Sequence, residues 1–139
     1  MKPVFKSDGT VTAGNASGLN DAAAALVMAT DQGLKNGRMR PMARVVSYGL
    51  AGVDPRLMGL GPVPASRLAL QRAGLRTDAL DVVESNEAFA AQACAVTRAL
   101  ELDPRKVNPN GSGISLGHPV GATGALSLIH ISEPTRRRG

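Results

Sequence analysis

Tryptophan is absent, and Phe5, Tyr48 and Phe89 are the only aromatic residues among 139. Single-stranded nucleic acid is held largely by bases stacking on aromatic faces, so that function starts without its main contact. Cysteine is as scarce. Cys94 alone excludes an intramolecular disulfide and any Cys-x-x-Cys metal site, and it suits a reducing compartment. No apolar run approaches the ~18–20 residues that span a bilayer, and the opening Met1-Lys2-Pro3 lacks the apolar stretch of a signal peptide. These absences make the cytoplasm the expected location, with neither nucleic acid nor membrane as a partner and no metal site.

What remains is a chain of ordinary domain size that can build a core. Hydrophobic residues make up 43% and charged residues 19%, outside the range of a disordered tail. With so few aromatics, core volume comes from Ala, Val and Leu, which favours closely packed helices and strands. Gly 16 and Pro 9 promise several tight loops without a collagen-like period. The formal charge is +5 and the isoelectric point about 10.1, which raises the possibility of a basic nucleic-acid binder. Residues 126–139 supply +2 of that charge, and the remaining +3 is spread thinly over the body. A binder of that kind loses its case if binding vanishes once 126–139 are deleted.

Along the chain, residues 1–20 read as irregular, with a turn at Ser7-Asp8-Gly9. Residues 22–29 (AAAALVMA) are uninterrupted apolar, a pattern that fits either a helix or a strand buried on both faces. Residues 31–36, stopped by Gly37, predict one short helix. Residues 43–50 (ARVVSYGL), 80–84 (LDVVE) and 107–110 predict short strands, and 65–73 and 88–100 predict helices. In the second of these helices Phe89, Ala93, Val96 and Leu100 fall on one stripe. Strands alternating with helices indicate a wound α/β sheet, whose ligands bind beyond the carboxyl ends of the strands. Asn86, Glu87 and His118 lie at that edge.

Two constellations carry chemistry. In Asn108-Pro109-Asn110-Gly111-Ser112-Gly113-Ile114-Ser115-Leu116-Gly117-His118-Pro119, the glycines let backbone approach a ligand closely. The proline restricts His118, so the backbone aims its ring. An imidazole there can act as base, acid or oxyanion donor; it can equally be a loop histidine satisfied by a carbonyl. Gly113-Ile114-Ser115-Leu116-Gly117 matches the nucleophile elbow of the α/β-hydrolases. No acid followed by a histidine lies downstream, so that reading fails. Neither a dinucleotide fingerprint nor a phosphate-binding P-loop is present. The second constellation is Asn86-Glu87-Ala88-Phe89-Ala90. Asn86 can hold a water or a carbonyl at a strand end, or simply cap the following helix. Glu87 fits loop support, and Cys94 reads as a small buried thiol.

Four segments taken together resemble the thiolase family: Val11-Thr12-Ala13-Gly14-Asn15-Ala16-Ser17-Gly18, Met58-Gly59-Leu60-Gly61-Pro62, Asn86-Glu87-Ala88-Phe89-Ala90, and Asn110-Gly111 through Gly117-His118-Pro119. They occur in the family's order and spacing, and the likeness covers roughly residues 4–125. It implies a thiolase-like layered α/β/α fold and an acyl-CoA C-acyltransferase. Such an enzyme carries out the Claisen condensation of two acetyl-CoA to acetoacetyl-CoA and CoA, or the reverse thiolysis of a 3-ketoacyl-CoA. Gly61-Pro62-Val63-Pro64-Ala65 leans toward the acetyl-CoA acetyltransferase branch. By resemblance His118 activates a nucleophilic cysteine and donates to the thioester oxygen, and Asn86 holds the water that completes the oxyanion site. Ser17 touches the pantetheine arm, while Met58, Ala88 and Phe89 line the acyl and pantetheine tunnel. The resemblance also assigns 22–29 as a buried strand. CoA thioesters are the substrates, no further cofactor is implied, and the intact enzyme is a homo-oligomer, dimer or tetramer, in fatty acid metabolism.

The departures are equally specific. Both catalytic cysteines of the family lie outside this chain, and Cys94 matches neither. Residues 1–38 read as the remnant of a thiolase N-terminal domain and 39–125 as an incomplete C-terminal domain. Residues 126–139 (LSLIHISEPTRRRG) read as a non-native tail, with Pro134 where the family has a helix. That tail resembles a translated sequencing adapter or a frame-shifted end, so His130 and Arg136, Arg137 and Arg138 are expected to carry no function. The chain is expected to be inactive alone. The alternative is a non-catalytic CoA-binding or assembly module, in which His118 is dispensable.

Overall fold

The structure is a computed structural model that describes residues 1–37 and 39–132. Five α-helices follow in order: α1 (Asp31–Gly37), α2 (Pro62–Ala73), α3 (Ala90–Ala99), α4 (Gly113–Leu116) and α5 (Thr123–Ser132). Three short 3-10 turns, Pro55–Leu60, Thr77–Ala79 and Pro104–Lys106, link them. Helix α2 starts three residues before the predicted 65–73, because Pro62 and Pro64 sit in its first turn. There a missing N–H costs nothing and the fixed φ is already helical. It stops at Gly74, whose φ of 66° lets its N–H reach back to Gln71.

The core lies where α3 packs against α2 and the turn Pro55–Leu60. Val96, only 2% exposed, and Leu100 fill its centre from the predicted stripe of α3, with Val63 from α2 and Leu102 beyond. Leu60, Leu80, Val83 and Val107 close around them. Burying Val96 alone contributes on the order of 1.5–3 kcal/mol.

The predicted strands are where sequence pattern and structure part. Among the described residues pairing is confined to three isolated bridges: Ala16 with Phe89 (antiparallel), Leu19 with His118 (parallel) and Val83 with Val107 (parallel). Residues 80–84 and 107–110 therefore meet at a single bridge and form no ladder. Residues 22–29 are neither buried nor paired; Val27 is 90% exposed. Residues 43–50 run unpaired along α2, held by Ser47 Oγ donating to the Ala69 carbonyl (2.7 Å) and Arg72 donating to the Tyr48 carbonyl (2.8 Å). A strand exists only through its neighbours' N–H and C=O groups, and no described segment supplies them here.

Two further expectations are corrected. Cys94 is exposed, because the stripe of α3 that faces the core runs through Val96 and Leu100 and leaves position 94 outward. The helix expected to be missing after residue 125 is present as α5, which runs through Ser132. Residues 123–132 contain no proline, and their one glycine, Gly124, lies in the first turn, so nothing local stops the helix. Pro134 and Arg136, Arg137 and Arg138 lie outside the described residues. Within α5, His130 Nδ1 stands 3.5 Å from Glu84 Oε2.

Candidate active site

Three loops converge at one edge of the core. The first continues from the Val83–Val107 bridge, where the Val83 N–H donates to the Lys106 carbonyl and the Asn108 N–H donates to the Val83 carbonyl (both 2.8 Å). It carries Ser85, Asn86 and Glu87 into α3. The second is the glycine-rich stretch, stiffened by α4. There the Ser115 N–H and Ser112 carbonyl pair, while the Ser112 N–H donates to Ser115 Oγ. The third, residues 12–20, lies across both. Its Asn15 carbonyl accepts from the Ala90 N–H (2.9 Å), and its Ser17 N–H donates to the Ala88 carbonyl (3.0 Å). Asn20 Oδ1 accepts from the His118 N–H (2.9 Å).

At the junction, Asn86 Nδ2 stands 3.3 Å from His118 Nε2. On its other side the ring's Nδ1 is 2.8 Å from Thr123 Oγ1, and the Thr123 hydroxyl donates to the Pro119 carbonyl (3.0 Å). A hydroxyl has one proton to give. With that proton committed to Pro119, Thr123 accepts from Nδ1–H. Nε2 is then the unprotonated nitrogen, and the Asn86 amide donates to it. One consistent direction through the network runs from Asn86 to His118 to Thr123 to Pro119. In that direction the unprotonated nitrogen of the imidazole faces Asn86, and the partner on the far ring nitrogen orients the ring.

His118 is held by a hydroxyl and a carboxamide, not by a carbonyl. Asn86 does not cap α3, whose N-cap is Phe89 with no side-chain hydrogen bond. Glu87 supports the loops as expected: Oε1 accepts from Asn108 Nδ2 (3.3 Å) and Oε2 from the Ile114 N–H (3.4 Å). Gly113 is required by close approach. A Cβ on it would stand 2.9 Å from both Asn86 Oδ1 and the Glu87 carbonyl oxygen.

Beside Asn86 a cleft of about 390 Å³ opens between α3 and the turn Pro55–Leu60, lined by Met58, Ser85, Asn86, Ala88, Phe89 and Gln92 among others. Met58, Ala88, Phe89 and Asn86 thus share one cavity, and Met58 stands at its mouth, 70% exposed. Ser17 and His118 do not line it. Ser17 joins it through Ala88, and His118 through the Asn86 amide. Glu84, its side chain only 3% exposed, also borders the cleft. Burial pushes its carboxyl above the usual carboxylate range, and His130 partly offsets this. Among the described residues, Glu84 Oε1, Asn86 Oδ1 and Gln92 Oε1 are buried without a hydrogen-bond partner, and all three belong to the cleft. No three His, Cys, Asp or Glu side chains among the described residues gather as metal ligands would.

The sequence pattern singles out neither Thr123 nor Asn20, and it places Asn108 in the glycine-rich constellation without a role of its own. Thr123 is five residues past His118 with no motif of its own, and Asn20 is 98 residues away from its partner.

A carboxamide and an imidazole meeting at the end of an α/β crossover, next to an apolar cleft, define a site built to handle charge on an oxygen atom. The comparisons with known proteins identify the family of the chain. The family profile for the thiolase C-terminal domain matches residues 39–139, and that for the thiolase N-terminal domain matches residues 1–32. The chain belongs to the thiolase family. It is 70% identical over 138 residues to the beta-ketothiolase BktB of Cupriavidus necator, covering 99% of this chain and 35% of that protein. Its structure matches the acetyl-CoA acetyltransferase of Bacillus anthracis with a TM-score of 0.89 and 53% identity, over 94% of this chain and 34% of that one. It matches the human mitochondrial 3-ketoacyl-CoA thiolase solved in complex with CoA at 0.87 and 48%, over 99% and 35%. The backbone therefore follows the thiolase-like α/β fold, even where its strands lack neighbours. The chain spans about a third of the length of these relatives. None of its described helices is long and apolar enough to cross a membrane.

Proposed function

We propose that this chain carries the histidine and asparagine part of the active site of an acyl-CoA C-acyltransferase of the acetyl-CoA acetyltransferase kind. The observation that carries this reading is the 3.3 Å contact between Asn86 Nδ2 and His118 Nε2, read here with Nε2 as the unprotonated acceptor. A nitrogen in that state can take the proton of a thiol. The thiolate attacks the acyl carbonyl carbon, an S–C bond forms, and the CoA thiolate leaves. Once protonated, the same Nε2 donates to the thioester oxygen. When the α-proton of the second acyl-CoA is removed, charge develops on that oxygen. The Nε2–H and a water held by Asn86 face it, and one such donor lowers a barrier by about 2.7–4 kcal/mol in a well-studied case.

Both thiols of the reaction come from beyond these 139 residues in this reading. Cys94 is exposed and does not line the cleft. Met58, Ala88 and Phe89 line the passage for the acyl group and pantetheine, and Ser17 meets the pantetheine arm. The substrates are CoA thioesters, and no further cofactor takes part. We place the intact enzyme in the cytoplasm, as a homo-oligomer, in fatty acid metabolism. Within it residues 1–38 belong to the N-terminal domain and 39–125 to the C-terminal domain, and 126–139 are a tail whose His130 and Arg136, Arg137 and Arg138 take no part in the reaction.

The test is a chimaera of the Cupriavidus necator relative in which residues 1–125 replace the matching stretch. Thiolysis of acetoacetyl-CoA is expected to persist. His118→Ala is expected to abolish it, and Asn86→Ala to lower kcat about 10²–10³-fold, with CoA affinity retained in both. Activity that survives His118→Ala would refute the assignment and favour a binding module.

A further inference from the structure

We infer that Asn108 is the positioning residue of the Asn86–His118 pair: its side chain stands in for a strand's backbone and sets where Asn86 stands. Asn108 is one of only two non-glycine residues with positive φ among the described residues, at 51°. That conformation ends the parallel pairing which its own N–H makes with the Val83 carbonyl. From there its carboxamide takes over. Oδ1 accepts from the Ser85 N–H (2.7 Å), and Nδ2 donates to the Ser85 carbonyl (2.8 Å).

These two bonds reproduce both arms of a peptide group facing Ser85, which extends the pairing by one step without a further strand residue. Ser85 immediately precedes Asn86. Ser112 Oγ donates to the same Ser85 carbonyl (3.0 Å), and Asn108 Nδ2 is also 3.3 Å from Glu87 Oε1. The residues on both sides of Asn86 are thus tied to Asn108. Asn is among the few residues that tolerate the left-handed region while offering both a donor and an acceptor. Aspartate keeps the acceptor and loses the donor, and glycine keeps the conformation and loses both.

The inference rests on the reading of Asn86 and His118 as one site, and the experiment separates the two. The chain has two histidines, so the ¹⁵N spectrum of the 139-residue protein, with His130→Gln to remove the other ring, reports His118 alone. Asn86→Ala is expected to shift the Nε2 resonance as its hydrogen bond is lost. Asn108→Gly is expected to reproduce that shift, and Asn86→Ala to add nothing further in the Asn108→Gly background, the mark of residues acting as a unit. Glu101→Gly, the same exchange at the other positive-φ position (53°), is expected to leave the resonance in place. A wild-type resonance in Asn108→Gly, with a full response to Asn86→Ala, overturns the inference and leaves the site reading standing. A silent Asn86→Ala overturns both. If Asn108→Gly unfolds, Asn108→Asp decides: the expected result is a folded protein with a displaced Nε2 resonance, and a wild-type resonance overturns the inference.

Discussion

Replacing Thr123 by valine tests the direction of the hydrogen-bond chain through His118. The two side chains have nearly the same shape, so the change removes the hydroxyl and little else. The Pro119 carbonyl loses one donor but keeps two, the N–H groups of Ala122 (2.8 Å) and Thr123 (2.9 Å). The loss therefore falls on the bond from His118 Nδ1–H to Thr123 Oγ1. A hydrogen bond of this kind contributes about 0.5–1.5 kcal/mol net, which is roughly a two- to thirteen-fold change in tautomer ratio. ¹⁵N chemical shifts of the neutral ring distinguish protonated from bare nitrogens directly. In the wild type Nδ1 is expected to carry the proton and Nε2 to be bare. In Thr123→Val the population moves toward Nε2–H, which turns a donor against the Asn86 amide; Thr123→Ser restores the original state. A wild-type ring protonated at Nε2, or a Thr123→Val spectrum identical to wild type, refutes the reasoning.

Two further predictions concern packing and pH. Gly113→Ala puts a methyl group 2.9 Å from Asn86 Oδ1; overpacking of this kind costs about 1–3 kcal/mol, so thermal unfolding is expected at lower temperature with the His118 Nε2 resonance displaced, and an unchanged Tm with an unchanged resonance counts against the close approach. Asp103 and Glu84 act in opposite directions. The Arg105 side chain, followed by its backbone N–H, holds Asp103 down to about 2 from 3.8, so its contribution to stability is present above the ordinary value and is lost as pH falls through that window. Burial raises Glu84, so its contribution is present at low pH and is lost as pH rises through its elevated value. Asp103→Asn is expected to flatten the acid side of the stability profile and Glu84→Gln the rising side, and melting curves across that range that respond the other way contradict the assignments.

Much of the molecule was legible in the one-dimensional pattern. Gly74 as the stop of α2, Val96 and Leu100 turned to the core from the predicted stripe, and the turn at Gly9 all depend on a few neighbouring residues, and each formed as expected. Asn86 and His118 were singled out because a strand end and a glycine-proline frame are local features. Glu87 was read as loop support for the same reason.

Strands were another matter. The runs 22–29, 43–50, 80–84 and 107–110 had the composition of strands, yet strand structure resides in pairing between distant segments. Here it reduces to single bridges, so composition alone overstated it. Cys94 came out exposed because the rotation of α3 is set by Val96 and Leu100 seeking the core, not by residue 94. The contacts that build the site span 32 residues for Asn86 with His118, 23 for Asn108 with Ser85 and 98 for Asn20 with His118. Residue types and local geometry were determined by the sequence. What flanks the ring of His118 on each side, and what holds Asn86 against it, was decided only when folding brought those separate loops together.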